Sequence, residues 1–194
     1  STEIVRFIAD PDSFIADGDI LKDGDTTTVV KINIDGHALV LKRYNQVGFW
    51  RSFRRAFTAS RAHRCWRNAL VLARLGVWTP KPYVLLEETQ FWVLVRRAFL
   101  VTEYVDADTV QVQLQQPNSF TSVEQLVTAF SCLFDVMHGS KISHGDMKAS
   151  NFIYRNGKLW VLDLDSMKQY KLDFLFQIRF KKDASRFMKN WRDS

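Results

Sequence analysis

Residues 144–165 constrain the fold more tightly than any other stretch of the chain. They read His144-Gly145-Asp146-Met147-Lys148-Ala149-Ser150-Asn151, then two apolar runs joined by Asn156-Gly157, then Leu162-Asp163-Leu164-Asp165. Asn-Gly between such runs is a strong hairpin signal, because both central residues of a type I′ turn need positive φ. A two-residue turn there places Tyr154 opposite Leu159 and Asn151 opposite Leu162. Asn151 and Asp163 then flank the open end of one hairpin, about 5–7 Å apart by normal strand spacing. Asp146 and Lys148 lie on the loop that feeds the same end. Two carboxylates, an amide and an ammonium group converge there.

The rest of the chain supplies a frame for that point. Ile20–Lys22, Val29–Ile32 and Ala38–Lys42 read as strands separated by Asp23-Gly24-Asp25 and by Asp35-Gly36, which puts Lys42 near the end of a third strand. Phe49, Trp50, Phe53 and Phe57 share a helical face opposite Arg51, Arg54 and Arg55. Ala62, Cys65, Trp66, Ala69, Leu72 and Ala73 form a second apolar stripe at helical spacing, ended by Gly76 and Pro80. Strands return at 91–95 and 99–105. After a polar linker with Pro117, Thr121 and Glu124 open a helix carrying Val123, Leu126, Val127, Phe130, Phe134 and Met137. The last twenty residues, basic and aromatic, read as one helix. Strands with an inserted helix, then mainly helices, imply an α+β chain of two lobes sharing a cleft, 1–105 rich in strand and 106–194 mainly helical.

Charge is unevenly distributed. Of a net charge of +6, the block from Gly36 to Leu86 contributes ten Lys or Arg and no acid, whereas the remainder holds 17 basic and 21 acidic residues. Such a block suits phosphates or an anionic surface. It carries no recognisable nucleic-acid reading motif, so no nucleic-acid partner is expected. No apolar run reaches a membrane-spanning length. The start lacks the basic and apolar regions of a secretion signal. Cys65 and Cys132 sit in apolar helical patterns and read as two buried thiols, which points to a reducing, cytoplasmic setting.

Chemistry narrows the reading further. Phosphoryl transfer asks for little covalent help but for positioned charge: an acid for the attacking hydroxyl, a cation for the moving phosphoryl group, and ligands for Mg²⁺. Asn151 and Asp163 offer two oxygen donors to a Mg²⁺ ion that keeps waters and takes substrate phosphates. His144 reads as a structural hydrogen-bonder of the loop. Asp165 reads as an acid supporting the ligands rather than one of them. His37, His63 and His138 have no ligand-like spacing.

The Asp-x4-Asn loop followed by Asp-Leu-Asp resembles the catalytic loop and metal segment of protein-kinase-like enzymes. Gly145 in the His-Gly-Asp sequence resembles their atypical bacterial and archaeal branches. With Leu39-Val40-Leu41-Lys42-Arg43-Tyr44, Trp66-Arg67-Asn68, Leu75-Gly76-Val77-Trp78-Thr79-Pro80, Phe99–Val105 and Arg186-Phe187-Met188-Lys189-Asn190-Trp191, the chain is similar to the lipopolysaccharide kinase (Kdo/WaaP, InaA-like) family over residues 20–192. The resemblance implies a two-lobed protein-kinase-like fold using ATP and Mg²⁺. By it, Lys42 contacts the α- and β-phosphates, and the turn at Gly24 and Thr26 covers the nucleotide. Glu103 to Val105 form the adenine hinge, with Thr102 behind it. Asp146 is the catalytic base, Lys148 neutralises transferred charge, and Asn151 and Asp163 hold the metal. The implied acceptor is a sugar hydroxyl, heptose or Kdo, of the lipopolysaccharide core, met at the inner face of the inner membrane as a peripheral protein.

Asn68 falls at the helix position that would present a carboxylate to Lys42, so either it faces Lys42 as a neutral partner or Lys42 pairs with an acid elsewhere. That substitution and the glycine-poor turn keep a non-catalytic pseudokinase open. A small protein kinase of the RIO type, which shares the His-Gly-Asp loop, is the closest rival. The stretch 49–57 is read either as a helix docked on the first lobe or as an interfacial helix.

Overall fold

The computed structural model describes residues 2–45, 59–90, 94–116 and 123–189. Two compact units are formed, one by residues 1–66 and 81–104, the other by 67–80 and 105–194. The arginine-rich stretch 49–57, Thr121 of the expected helix start, and Asn190-Trp191 lie outside the described residues.

The first unit is built on a five-stranded antiparallel sheet: β1 (Asp19–Gly24), β2 (Thr27–Ile34), β3 (His37–Tyr44), β4 (Pro82–Gln90) and β5 (Leu94–Glu103), in the order β1-β2-β3-β5-β4. The β2–β3 hairpin follows its turn chemistry, with Asp35 at φ 52° and Gly36 at φ 78°. Two short helices precede the sheet: α1 (Thr2–Ala9) and α2 (Pro11–Asp17), the latter capped by the Asp10 side chain and carrying Pro at its first position. Phe7 and Phe14 pack into a core with Val30, Ile32, Ile34, Leu41, Phe99 and Val101. Asp12 of α2 bonds Arg43 at 2.9 Å and also Arg97, which grips Glu88 with a two-pronged contact at 2.8 and 2.9 Å.

Two sequence expectations change here. The helices α1 and α2 carry no long periodic stripe and were not foreseen. The strand β4 at Pro82–Gln90 was disguised by the flanking prolines, and its edge position leaves room for Pro82; of the strand expected at 91–95, residues 91–93 lie outside the described residues and Leu94 and Val95 begin β5.

Helix α3 (Arg61–Arg74) buries Ala62, Cys65, Asn68, Ala69 and Leu72. In the second unit, a short helix α4 (Val110–Gln115) precedes α5 (Val123–Gly139). Then come β6 (Ile142–Ser143), a 3₁₀ turn (Ala149–Asn151), β7 (Phe152–Arg155), β8 (Lys158–Val161), a second 3₁₀ turn (Leu164–Ser166), β9 (Lys168–Gln169) and α6 (Asp173–Lys189). Tyr154 pairs with Leu159, and Asn156 and Gly157 take φ 52° and 74°, the register and turn expected. Trp78 bridges to Trp160, and Val161 N–H donates to Trp78 O at 2.9 Å, tying residues 78–80 to this unit.

Helices α5 and α6 interlock through aromatic rings. Phe130 meets Phe152 at 5.1 Å and Phe187 at 4.7 Å, Phe134 meets Phe180 and Phe187 at 5.8 and 5.1 Å, and His138 meets Phe176 at 5.4 Å. Each such pair contributes about 1 kcal/mol beyond area burial, so α6 is firmly seated. The buried face of α5 uses Leu126, Phe130, Leu133 and Met137, whereas Val123 and Val127 are exposed. Cys65 is buried, but Cys132 is exposed, so the expectation of two buried thiols fails for the second. Among the described residues no helix is long and apolar enough to cross a membrane.

Candidate active site

The second unit brings Asp146, Lys148 and Asn151 together. The 3₁₀ turn at Ala149–Asn151 folds the chain so that Asn151 N–H donates to Lys148 O at 2.9 Å. The Asn151 side-chain amide then reaches back to Asp146, donating to its carbonyl at 2.8 Å and to Oδ2 at 3.1 Å. Lys148 Nζ lies 3.2 Å from the same Oδ2. Asn151 O also accepts from Leu162 N–H at 2.9 Å, which fixes Asp163 as the next residue at the open end of the β7–β8 hairpin. Asp163 itself adopts the left-handed conformation, φ 55° and ψ 57°. Non-glycine residues rarely do so, and such positions cluster at functional sites.

His144 locks the two segments together. It is fully buried, accepts from Asp146 N–H through Nδ1 at 3.2 Å, and bonds Leu162 O through Nε2 at 2.9 Å. Nδ1 accepts, so Nε2 carries the proton and the ring is neutral. Burial pushes its pKa below the ordinary histidine value, against smaller raising effects from the Leu162 carbonyl and from Asp183, Asp163 and Asp146.

Gly145 sits at φ +85°, and a Cβ there would come 2.8 Å from Ser166 O. A larger side chain therefore has no place in the His-Gly-Asp sequence. Two α6 residues that sequence reasoning assigned no role in the site grip this glycine. The buried Asp183 carboxylate accepts its N–H with both oxygens at 3.1 Å, and Arg186 Nη1 donates to its carbonyl at 2.9 Å and to Asp146 Oδ1 at 2.7 Å. A signal for Asp183 exists: it is the one acid on the apolar stripe Phe176, Phe180, Phe187.

Asn68 is buried, and its amide nitrogen donates to Leu164 O at 2.7 Å and Met167 O at 3.0 Å. Its amide nitrogen thus anchors the turn at 164–167. A carboxylate cannot donate to two carbonyls, which explains the amide at this position. Asp165 is buried and its Oδ1 accepts the Ser166 hydroxyl at 3.1 Å.

The first unit holds the remaining candidates. Lys42 lies on β3, paired with Val29 and Leu100, with Nζ 5.1 Å from the Tyr44 ring centroid. Gly24 ends β1 opposite Thr27, and Thr26 is exposed in the turn, its carbonyl accepting Asn45 N–H at 3.1 Å. Thr27 and Thr28 are buried, and Thr28 donates to Asp23 at 3.2 Å, so these threonines brace the hairpin from within. Thr102 pairs with Val40, Glu103 N–H donates to Lys81 O at 2.9 Å, and the chain passes into the second unit at Val105, whose carbonyl accepts Ala107 N–H.

A divalent cation is tested by the donors themselves. Asn151 uses its amide nitrogen on Asp146, which leaves Oδ1 as its oxygen donor, and Asp163 supplies a carboxylate. Two hard oxygen ligands suit Mg²⁺, which takes its remaining positions from water and phosphate. Among the described residues no group of three or more His, Cys, Asp or Glu is placed to hold a metal.

An antiparallel sheet with a helix inserted after its third strand, followed by an Asp-Lys-Asn loop packed on a left-handed Asp, defines the protein-kinase-like class. The model of the lipopolysaccharide kinase (Kdo/WaaP) family matches residues 19–173, and the chain belongs to that family. Its fold is similar to that of a solved WaaP in complex with acyl carrier protein, with a TM-score of 0.64 at 18% identity, over 93% of this chain and 74% of that one. Serine/threonine-protein kinase B of Synechocystis sp. is 29% identical over 106 residues, 53% of this chain. The chain spans only 18% of the length of that relative.

Proposed function

We propose that this protein transfers the γ-phosphoryl group of ATP to a sugar hydroxyl, of heptose or Kdo, in the inner core of lipopolysaccharide. The observation that carries the reading is the Asp146 carboxylate, fixed through both oxygens beside Lys148 and Asn151, in a chain of this family. Asp146 accepts the proton of the acceptor hydroxyl as its oxygen bonds to the γ-phosphorus. The bond from that phosphorus to the β–γ bridging oxygen breaks, and ADP leaves. Lys148, 56% exposed and paired with Asp146, can turn from the carboxylate to the moving phosphoryl group. Lys42 binds the α- and β-phosphates, the Gly24–Thr26 turn covers them, and Thr102, Glu103 and Val105 frame the adenine. Asn151 and Asp163 hold Mg²⁺, which supplies charge neutralisation when bound.

Conversion of purified core oligosaccharide by the protein with Mg²⁺ and ATP, alongside mass spectrometry of the core from a strain lacking it, tests the proposal. The expected result is a core lighter by one phosphate in that strain and a phosphorylated product in vitro. An unchanged core together with phosphorylation of protein hydroxyls would favour a protein kinase of the RIO type. Nucleotide binding with no turnover on any acceptor would favour a pseudokinase.

A further inference from the structure

Asp146 directly follows a glycine at positive φ. Glycine is the residue with the greatest backbone freedom, and any drift at Gly145 is passed straight to the carboxylate one residue on. Helix α6 removes that freedom. From residues three apart, one turn of the helix takes both backbone polar groups of Gly145, Asp183 receiving the N–H and Arg186 donating to the carbonyl. The same Arg186 nitrogen also reaches Asp146 Oδ1 at 2.7 Å, tying the backbone before the carboxylate to the carboxylate itself. Oδ2 is held from the other side by Asn151 and Lys148. The plane of the carboxylate is therefore defined by donors on both oxygens.

The three donors are not equivalent under the reading above, on which this inference rests. Lys148 has the moving phosphoryl group to meet, and Asn151 has a metal to hold. Arg186 has neither task, and it comes from a helix outside the loop, seated by the Phe130, Phe134 and Phe187 rings. We propose that Arg186 is the positioning residue of the reaction: it aims the Asp146 carboxylate at the acceptor hydroxyl throughout turnover. This also gives a purpose to the Arg186-Phe187 motif near the end of the chain, in which Phe187 seats the helix and Arg186 reaches the site.

Burial distinguishes positioning from a merely structural role. The Arg186 side chain is 49% exposed, and ion pairs this exposed contribute little to folding stability. Misplacing a reacting group by about 1 Å, in contrast, costs about 100-fold in rate. Arg186→Ala and Arg186→Gln should therefore melt close to wild type and bind Mg²⁺·ATP unchanged, while kcat falls roughly 10- to 100-fold with little change in nucleotide KM. Arg186→Lys, which keeps the positive charge and a donor nitrogen but lacks the planar guanidinium that fixes the direction of the bonds, should recover part of the loss.

The measurements are kcat and KM for ATP with core oligosaccharide as acceptor, ATP hydrolysis without acceptor, thermal melting, and amide hydrogen exchange of residues 145–151. Wild-type kcat in Arg186→Gln overturns the inference while leaving the kinase reading intact. A loss of kcat that only parallels loss of fold, with no recovery in Arg186→Lys, also overturns it. If the wild-type protein neither hydrolyses ATP nor phosphorylates any acceptor, the kinase reading fails and the aiming role with it. Exchange at 145–151 then still reads the contact: unchanged in Arg186→Gln, even the clamp is refuted.

Discussion

Asp146 and Asp163 are both carboxylates at the open end of one hairpin, yet their surroundings differ, and the proposed function gives them different tasks. Asp146 is surrounded by donors from Lys148, Asn151 and Arg186, whereas Asp163 is held in a left-handed backbone conformation beside Asn151. Asp163→Ala should lose Mg²⁺-dependent nucleotide binding. Asp146→Ala should keep it and lose phosphoryl transfer by at least about 100-fold. Calorimetry and turnover on the same preparations check this, and wild-type turnover in both variants would remove the enzyme reading. His144 makes a prediction of a different kind. Its folded-state pKa lies below the ordinary 6.5 because burial penalises the charged ring. Below about pH 6.5 the unfolded chain therefore binds the proton more readily than the folded one, and stability falls with pH until the lowered folded pKa is reached. The fall from this group is at most about 1.4 kcal/mol per pH unit. Denaturant titrations between pH 5 and 8 should show that slope in the wild type and less of it in His144→Gln. Identical slopes would mean that His144 does not titrate as a buried neutral ring.

At the scale of elements, the turn at 164–167 hangs on Asn68, about a hundred residues away in sequence. Asn68→Ala removes the side-chain donor shared by Leu164 O and Met167 O, of which Leu164 O keeps the Met167 N–H, and should cost about 2 kcal/mol. Asn68→Asp sets a carboxylate against those carbonyls and should cost more, about 3 kcal/mol or above. Urea unfolding checks the order, and an Asp variant as stable as the Ala variant would contradict the anchoring role. The contrast shows what the sequence encodes locally. The hairpins at Asp35-Gly36 and Asn156-Gly157 were legible because the residues needing positive φ are the turn residues themselves. The grouping of Asp146, Lys148 and Asn151 was legible because it spans one loop. Asp183 and Arg186 were given no place in the site, and the bonds of Asn68 to the 164–167 turn were not foreseen, since these partners lie 38, 40 and 96 residues off and only packing brings them together. The strand β4 was hidden by its own edge position, where Pro82 costs no ladder bond that a central strand would miss. The helices α1 and α2 are too short for a periodic stripe, and they are held by packing of Phe7 and Phe14 that no local pattern announces.

For the molecule as a whole, the proposed acceptor would be carried on a lipid anchor, and the charge distribution bears on how the protein would reach it. The block from Gly36 to Leu86 has ten positive and no negative side chains, but the fold already uses part of it. Arg43 is paired with Asp12, and Lys42 and Arg61 lie 5.1 and 5.2 Å from the Tyr44 ring centroid. Attraction to an anionic leaflet would therefore fall to the rest of the block, whose densest cluster is Arg51, Arg54 and Arg55, outside the described residues. Each cation near such a surface is worth about 1 kcal/mol, so three give about 3 kcal/mol, enough for reversible residence and too little for permanent anchoring. Binding to vesicles containing anionic phospholipid should weaken between low and physiological salt, because exposed charges are screened over about 8–10 Å. It should drop in the triple variant Arg51→Glu/Arg54→Glu/Arg55→Glu while the melting temperature holds. The competing account has these arginines binding substrate phosphates, and it predicts impaired turnover on soluble core oligosaccharide with no vesicle binding. A second reversal, Lys181→Glu/Lys182→Glu, places the same kind of charge change on α6, whose exposed Phe174, Leu175 and Ile178 offer another apolar and basic surface. Flotation lost only in that second variant would move the contact surface to α6. Flotation absent from the wild type at low salt would end the membrane hypothesis.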